Sequence, residues 1–328
     1  MNRLCLYYIK PPEQNRWFPG DRFIRPAVRR VLRGRQQPGG VEKVFLNLCK
    51  GLDRLGESYH VNLPFDRIGP GDRVGILGRD RDCLVGYDRP NPIVAGIGLM
   101  THPSEWPELC NEFPVVAYLQ HSTWANDIYR PFFGDRCRIW PVGIETDRWR
   151  PEPGVHKDID LLIYDKVRWN REQSERELIG PIEACLAQRG LTTATIRYLH
   201  YGRDGDFKYQ SLLARSRAML FLCENESQGF AYQECLSSDV PVLAWDQGFC
   251  LDPQRFSWGQ PVIPATSVPF FDDRCGVRFQ SASDFPDRLT EFLDRLSAGQ
   301  FQPRQYILEN LTLEMAARHF LEICRECA

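Results

Sequence analysis

The stretch "CENESQGFAYQECLSSDVPVLAW", residues 223–245, sets two glutamates, Glu226 and Glu234, eight positions apart between two apolar runs. The run before it, residues 218–223, has the length of a buried strand, and residues 241–244 form another. Two parallel neighbours need a crossover between them, which usually includes a helix. Residues 230–236 are helix-compatible, and Gly229 stands just ahead, where a missing Cβ lets backbone approach a ligand closely. Free N–H groups and the dipole at such a helix start favour phosphate. Glu226 then lies on the loop and Glu234 one to two turns into the helix. A carboxylate suits paired hydroxyls, since each oxygen accepts from one of them. The combination describes a pocket for a phosphate flanked by hydroxyls. The plain alternative is an exposed helix face, because two glutamates at this spacing are common by chance.

Outward from this stretch the same alternation repeats. Apolar runs at 161–164, 195–200, 218–223 and 241–244 read as strands. Between and after them, 172–189, 209–216, 229–238 and 285–296 read as helices. Toward the N-terminus, strand-like runs fall at 4–9, 74–77, 83–87, 93–99 and 115–119, with a helix at 41–55 stopped by Gly56 and a short one at 123–129. Alternating strands and helices predict parallel, doubly wound sheets. Residues 141–154, rich in proline and poor in apolar runs, are the candidate linker. Two α/β domains in tandem, with a cleft between them, are therefore expected, and ligands of such sheets bind outside the carboxyl ends of the strands.

The bulk composition agrees. A chain of 328 residues is about twice the usual domain length, and 43% hydrophobic residues supply sizeable cores. A net charge of −2, from 41 basic and 43 acidic residues, gives no support to nucleic-acid binding. The first residues hold no long apolar region ahead of a small-residue cleavage site, and no segment has the ~18 apolar residues of a membrane span. Twelve scattered cysteines without a regular framework fit reduced thiols, and the expectation is a cytoplasmic protein. Cys324 and Cys327 form one CxxC at a helix end with no second pair, a weak metal signal. Asp158 and Asp160 precede a strand, and Asp204 and Asp206 flank a glycine, so neither pair is taken as a metal site. Basic residues crowd one place: Arg16, Arg22, Arg25, Arg29, Arg30, Arg33 and Arg35. From Pro26 onward the apolar residues there can share one helical face, which predicts contact with an anionic acceptor or a peripheral contact with an anionic membrane, against the simpler reading of a solvated basic face.

Several motifs together resemble the retaining GT-B glycosyltransferases of glycosyltransferase family 4. Their Glu-x7-Glu motif, in a context such as E-G-F-G-x-x-x-x-E followed by a G-V-P-V strand, is similar to Glu226-Ser-Gln-Gly229-Phe230 through Glu234 and then Asp239-Val240-Pro241-Val242. "PVGIETDRWRP", 141–151, resembles the interdomain segment P-x-G-I-D-x-x-x-F-x-P. Gly39-Gly40-Val41-Glu42 resembles the glycine-rich turn after the first strand, and "YILENLTLEMAARHFLEIC" resembles the closing helices. The likeness spans nearly the whole chain and is densest from about Arg138 onward.

The resemblance implies a GT-B fold: an N-terminal Rossmann-like acceptor domain over 1–150, a C-terminal nucleotide-sugar domain over 151–305, and a terminal helix, 306–328, crossing back. It implies that Glu226 contacts the donor sugar near the reacting carbon and that Glu234 binds the ribose. The backbone of Gln228, Gly229 and Phe230 would cradle the diphosphate, with Gly39 and Gly40 approaching from the opposite domain. The family's basic pair, G-R-x-x-x-x-K-G, is altered here to Tyr164-Asp165-Lys166-Val167-Arg168-Trp169-Asn170-Arg171. Lys166 and Arg171 keep the spacing, and Arg168 is an equal candidate. The family often has a histidine facing the donor sugar, for which His102 is the first candidate and His121 the second. The implied reaction is metal-independent, retaining transfer from a nucleotide-diphosphate sugar, needing no further cofactor, to a glycan, lipid-linked or small-molecule acceptor. A sugar-nucleotide epimerase of the same architecture, or a catalytically silent sugar-nucleotide-binding module, are the alternatives.

Overall fold

The computed structural model describes residues 2–9, 15–22, 24, 38–197 and 201–327. The amphipathic arginine-rich segment proposed from the sequence lies, apart from Arg22 and Ile24, outside these residues.

Two fully parallel sheets organise the chain. In the first, β1 (Leu4–Tyr7), β2 (Tyr59–Val61), β3 (Arg73–Ile76), β4 (Ile93–Gly96), β5 (Val115–Gln120) and β6 (Cys137–Ile139) lie in the order β2-β1-β3-β4-β5-β6. In the second, β7 (Ile159–Asp165), β8 (Thr193–Arg197), β9 (Ser216–Leu222), β10 (Val242–Trp245) and β11 (Gly276–Phe279) lie in the order β11-β10-β9-β7-β8. The central strands are apolar runs buried on both faces, as helices on both sides of a parallel sheet require. Leu161, Ile163, Leu220 and Leu243 face one layer of the second domain, while Leu162, Phe221, Val242 and Ala244 face the other.

The segment between the sheets is tied down from Trp140 to Trp149, and residues 150–158 after it are exposed. Trp140 donates its indole N–H to the Ala316 carbonyl at 2.9 Å, and Ile144 forms a parallel bridge with Thr312. Trp149 is buried, and the Arg304 guanidinium donates to the Trp149 carbonyl at 3.0 Å. The last helix, Leu313–Glu326, is started by the Thr312 hydroxyl accepting from the Met315 N–H. It packs against Gly40–Leu55 and adds Ala317, Phe320 and Leu321 to the N-terminal core, so the chain's end does cross back to the first domain.

One predicted strand is corrected. Residues 83–87 do not form a strand; Arg81–Leu84 make a 3-10 turn between two left-handed positions, Asp80 (φ 58°) and Gly86 (φ 80°). Those positions reverse the chain, and Cys83 and Leu84 are buried by the turn rather than by sheet pairing. The short strands β2, β6 and β11 carried no readable run of their own. The helix expected at 209–216 begins earlier, at Tyr201.

Gly51 lets the helix Gly40–Leu55 lie close against the last helix. A Cβ there would lie 2.4 Å from the Leu313 carbonyl oxygen and 2.9 Å from the Ala317 Cβ. Helix propensity alone gives Gly51→Ala a gain of about 1 kcal/mol. The clash with backbone should outweigh it, leaving a net loss of about 1–3 kcal/mol. Urea unfolding checks the sign: an unchanged or raised midpoint would mean that the last helix packs more loosely than described.

Candidate functional site

The sheet order places a crevice. β7 leads to β8 on one flank of the second sheet, whereas β9, its other neighbour, leads to β10 on the opposite flank. Chain leaving the carboxyl ends of β7 and β9 therefore parts in two directions, the arrangement at which open α/β sheets bind ligands. Residues 166–170 form one lip and residues 223–229 the other, joined at the base by the Lys166 N–H donating to the Leu222 carbonyl at 2.8 Å.

Charged side chains fill the crevice in pairs. Glu224, which the sequence reading did not single out, is fully buried. One of its carboxylate oxygens accepts the backbone N–H groups of Arg168 and Trp169 at 2.6 and 3.0 Å. The other lies 3.5 Å from Arg168 Nε, and the Arg168 guanidinium also donates to the Asn225 carbonyl and stacks 4.1 Å over the Trp169 ring. Glu226 pairs with the Lys166 ammonium and accepts from the Cys223 thiol at 3.3 Å. Burial pulls the Lys166 pKa down, but the Glu226 carboxylate beside it more than offsets this and holds the ammonium above its usual value. Burial keeps Cys223 a neutral thiol, well above the normal range. The Glu226 carbonyl accepts the Trp124 indole N–H at 2.9 Å, a contact from the N-terminal domain.

Glu234 sits within the helix Phe230–Ser237 with its side chain 2% exposed. Its partner is Lys43, 191 residues away in the first turn of Gly40–Leu55 in the other domain. The Lys43 ammonium also lies 5.1 Å from the Phe230 ring and 5.7 Å from that of Trp149. Phe230 packs against the cores of both domains. The helix that carries Lys43 starts at Gly39 and Gly40, which have open space where a Cβ would stand.

Gly229 adopts φ 85°, and a Cβ there would fall 2.1 Å from the Tyr232 ring, so glycine is required by conformation and by space. Gln228 clamps the interdomain segment with its side chain: its oxygen accepts the Val142 N–H at 2.9 Å and its amide donates to the Val142 carbonyl at 3.0 Å. A buried bond to Gln233 at 2.7 Å completes that network. The spacing-matched Arg171 points at Asp165 and Glu175 instead, leaving Arg168 as the arginine beside Lys166 and Glu226.

Of the histidines, His102 is buried with its Nδ1 against the Ser104 hydroxyl at 2.7 Å and its ring stacked 4.6 Å from that of Trp258. Its Nε2 has no hydrogen-bond partner among the described residues. Burial, partly offset by Glu105, lowers its pKa. His121 is buried against the Trp140 carbonyl at 3.2 Å, and burial lowers its pKa to about 4. The fold thus brings Glu226, Lys166 and Arg168 together, and gathers Glu234 and Phe230 around Lys43, on the helix that starts at Gly39–Gly40. Lys43 and Glu224 are the additions. Among the described residues no group of three or more His, Cys, Asp or Glu side chains is placed to hold a metal ion, and no helix is long and apolar enough to cross a membrane.

No family model matches the sequence, and no curated protein matches it. Solved structures do. AviGT4, a glycosyltransferase involved in avilamycin A biosynthesis, is 17% identical with a TM-score of 0.57, over 99% of this chain and 98% of that one. Sucrose-phosphate synthase from Thermosynechococcus elongatus is 10% identical with a TM-score of 0.54 over 99% of both chains. TarM of S. aureus, solved as a point mutant in complex with fondaparinux, α-GlcNAc-glycerol and UDP, is 12% identical with a TM-score of 0.55, over 86% of this chain and 59% of that one. With the two parallel sheets, these likenesses establish the GT-B fold.

His121 carries a pH prediction. Its folded pKa of about 4 lies below the unfolded value of about 6.5, so the unfolded chain binds the extra proton between them. Its contribution is fully present above about pH 6.5 and is lost as pH falls toward 4, at up to about 1.4 kcal/mol per pH unit. His121→Gln should flatten that acid limb in urea unfolding measured from pH 7 to 4.5; an unaltered slope would place the protonation elsewhere.

Proposed function

We propose that this chain is a retaining glycosyltransferase that moves a sugar from a nucleoside-diphosphate sugar to a hydroxyl-bearing acceptor without a metal ion. The observation that carries the reading is the clustering of Glu226, Lys166 and Arg168 at the switch point of the second sheet, with Glu234 facing the first domain. In this reading Glu234 accepts from the ribose hydroxyls and Glu226 from hydroxyls of the donor sugar. Lys166 and Arg168 meet the negative charge that grows on the departing diphosphate, and preorganised cations are most effective where charge develops in the transition state. UDP in the TarM structure supports a nucleoside diphosphate as the leaving group here.

The step balances without a protein nucleophile. The bond between the anomeric carbon and the β-phosphate oxygen breaks, with its electron pair leaving on the diphosphate. An oxocarbenium-like centre forms, and the acceptor hydroxyl attacks from the same face while its proton passes to the leaving oxygen. Acceptor groups of the class expected are glycans, lipid-linked saccharides or small molecules, received by the N-terminal domain.

A panel of sugar nucleotides, followed for slow donor hydrolysis by proton NMR, tests the reading: one donor should be hydrolysed, and with methanol as acceptor that donor should give a methyl glycoside with its anomeric configuration retained. On that donor, Glu226→Gln should lower turnover by about a hundredfold or more, the scale of a lost transition-state contact, with nucleotide affinity little reduced. Glu234→Gln should weaken binding of the corresponding nucleoside about tenfold, equivalent to about 1.4 kcal/mol, with turnover at saturating donor changed only a few-fold. Equal effects of both substitutions on both quantities would refute the division of roles, and inversion of configuration would refute retention.

A further inference from the structure

Three carboxylates are each paired with a cation: Glu224 with Arg168 and Glu226 with Lys166 at the ends of β7 and β9, and Glu234, on the helix that follows, with Lys43 of the first domain. As it stands the crevice is self-neutralised. A nucleoside diphosphate entering it brings about two to three negative charges on one part and a pair of hydroxyls on another. The hydroxyls suit the carboxylates and the phosphates suit the cations. Binding is then an exchange of partners, in which the Glu226–Lys166 and Glu234–Lys43 pairs are each replaced by contacts to the ligand. Lys166 and Arg168 take part from the second domain. Lys43 is the cation supplied by the first.

We infer that Lys43 is a donor-binding residue: when the ribose takes Glu234, the Lys43 ammonium transfers from that carboxylate to the diphosphate, and so links nucleotide occupancy to contact between the domains. The inference rests on the reading of the site as a nucleoside-diphosphate pocket. Three observations support it. The Glu234 side chain is 2% exposed, so Lys43 cannot be released by solvating that carboxylate and needs a ligand to replace it. The Lys43 side chain is itself only 17% exposed, so once separated from Glu234 it requires another anion nearby. It also stands in the first turn of a helix whose Gly39–Gly40 start is bare of side chains, where backbone N–H groups and the helix dipole favour the same anion. Lysine suits the role because a flexible stem carrying a point charge can change partners with a small rotation.

The alternative is that Lys43 only holds Glu234 in place. Comparing a nucleoside with its diphosphate separates the two, because the nucleoside needs Glu234 and the diphosphate also needs the cation. Calorimetric titration of the wild-type chain with UDP, ADP, GDP and dTDP selects the ligand, and its nucleoside is titrated alongside. In Lys43→Met, the nucleoside diphosphate should bind about tenfold or more weakly, whereas the nucleoside should bind as well as before or better. Lys43→Arg should restore most of the lost affinity. Loss of nucleoside and diphosphate affinity in the same proportion would overturn the inference in favour of mere positioning. Unchanged diphosphate affinity in Lys43→Met, with wild-type binding intact, would overturn it alone. Failure of the wild-type chain to bind any of the four diphosphates would remove the nucleoside-diphosphate reading and this inference with it. A thermal unfolding scan of each variant confirms that it is folded before its affinity is compared.

Discussion

A carboxylate removed from water must be paired or hydrogen-bonded, or else protonated. Glu224 and Glu234 are buried at the carboxyl edge of the second sheet, and Glu226 is nearly so. That constraint fixes much of what surrounds them. Glu224 binds the two lips of the crevice together through the backbone of Arg168 and Trp169. Glu226 holds Lys166 at the end of β7. Glu234 draws Lys43 across from the other domain, so that an electrostatic requirement within the second domain becomes a contact between the two. Breaking a buried pair by removing one partner typically costs about 3–5 kcal/mol.

Hydrogen bonds and packing tie together the frame around the pairs. Gln228 clamps Val142, Arg304 gathers carbonyls of the connecting segment, and the last helix lies against Gly40–Leu55. The helix that carries Lys43 and the helix that carries Glu234 are therefore held by the same terminal elements: Pro303–Asn310 packs on Phe230–Ser237, and Leu313–Glu326 packs on Gly40–Leu55.

Much of the architecture was legible in the sequence because parallel strands buried on both faces leave uninterrupted apolar runs; 161–164 and 218–223 are examples. Gly229 was legible for a different reason, since a glycine before a helix start signals a conformation other residues avoid. Less could be read where a segment is short or half-exposed. β2 has only three residues with two of them exposed, and residues 83–87 have a strand's composition but are turned by Asp80 and Gly86. In the site, Glu226, Lys166 and Arg168 follow directly from two strand ends and were visible. Lys43 was not, because its meaning depends on a partner 191 residues away and on how two domains face each other. Glu224 was hidden by its neighbour, since in a polar loop nothing distinguishes a buried carboxylate from a solvated one. Arg171 matched in spacing alone, and the acids at 165 and 175 hold it elsewhere.

In the proposed reading this crevice receives a nucleoside diphosphate by exchanging internal ion pairs for contacts to the ligand. A crystal structure of the chain with the nucleoside diphosphate that it binds tests this most directly. The expected structure has the ribose on Glu234, the diphosphate within hydrogen-bonding reach of Lys166, Arg168 and Lys43, and the Lys43–Glu234 and Lys166–Glu226 pairs opened. A nucleotide bound elsewhere, or bound here with both pairs intact, would contradict it.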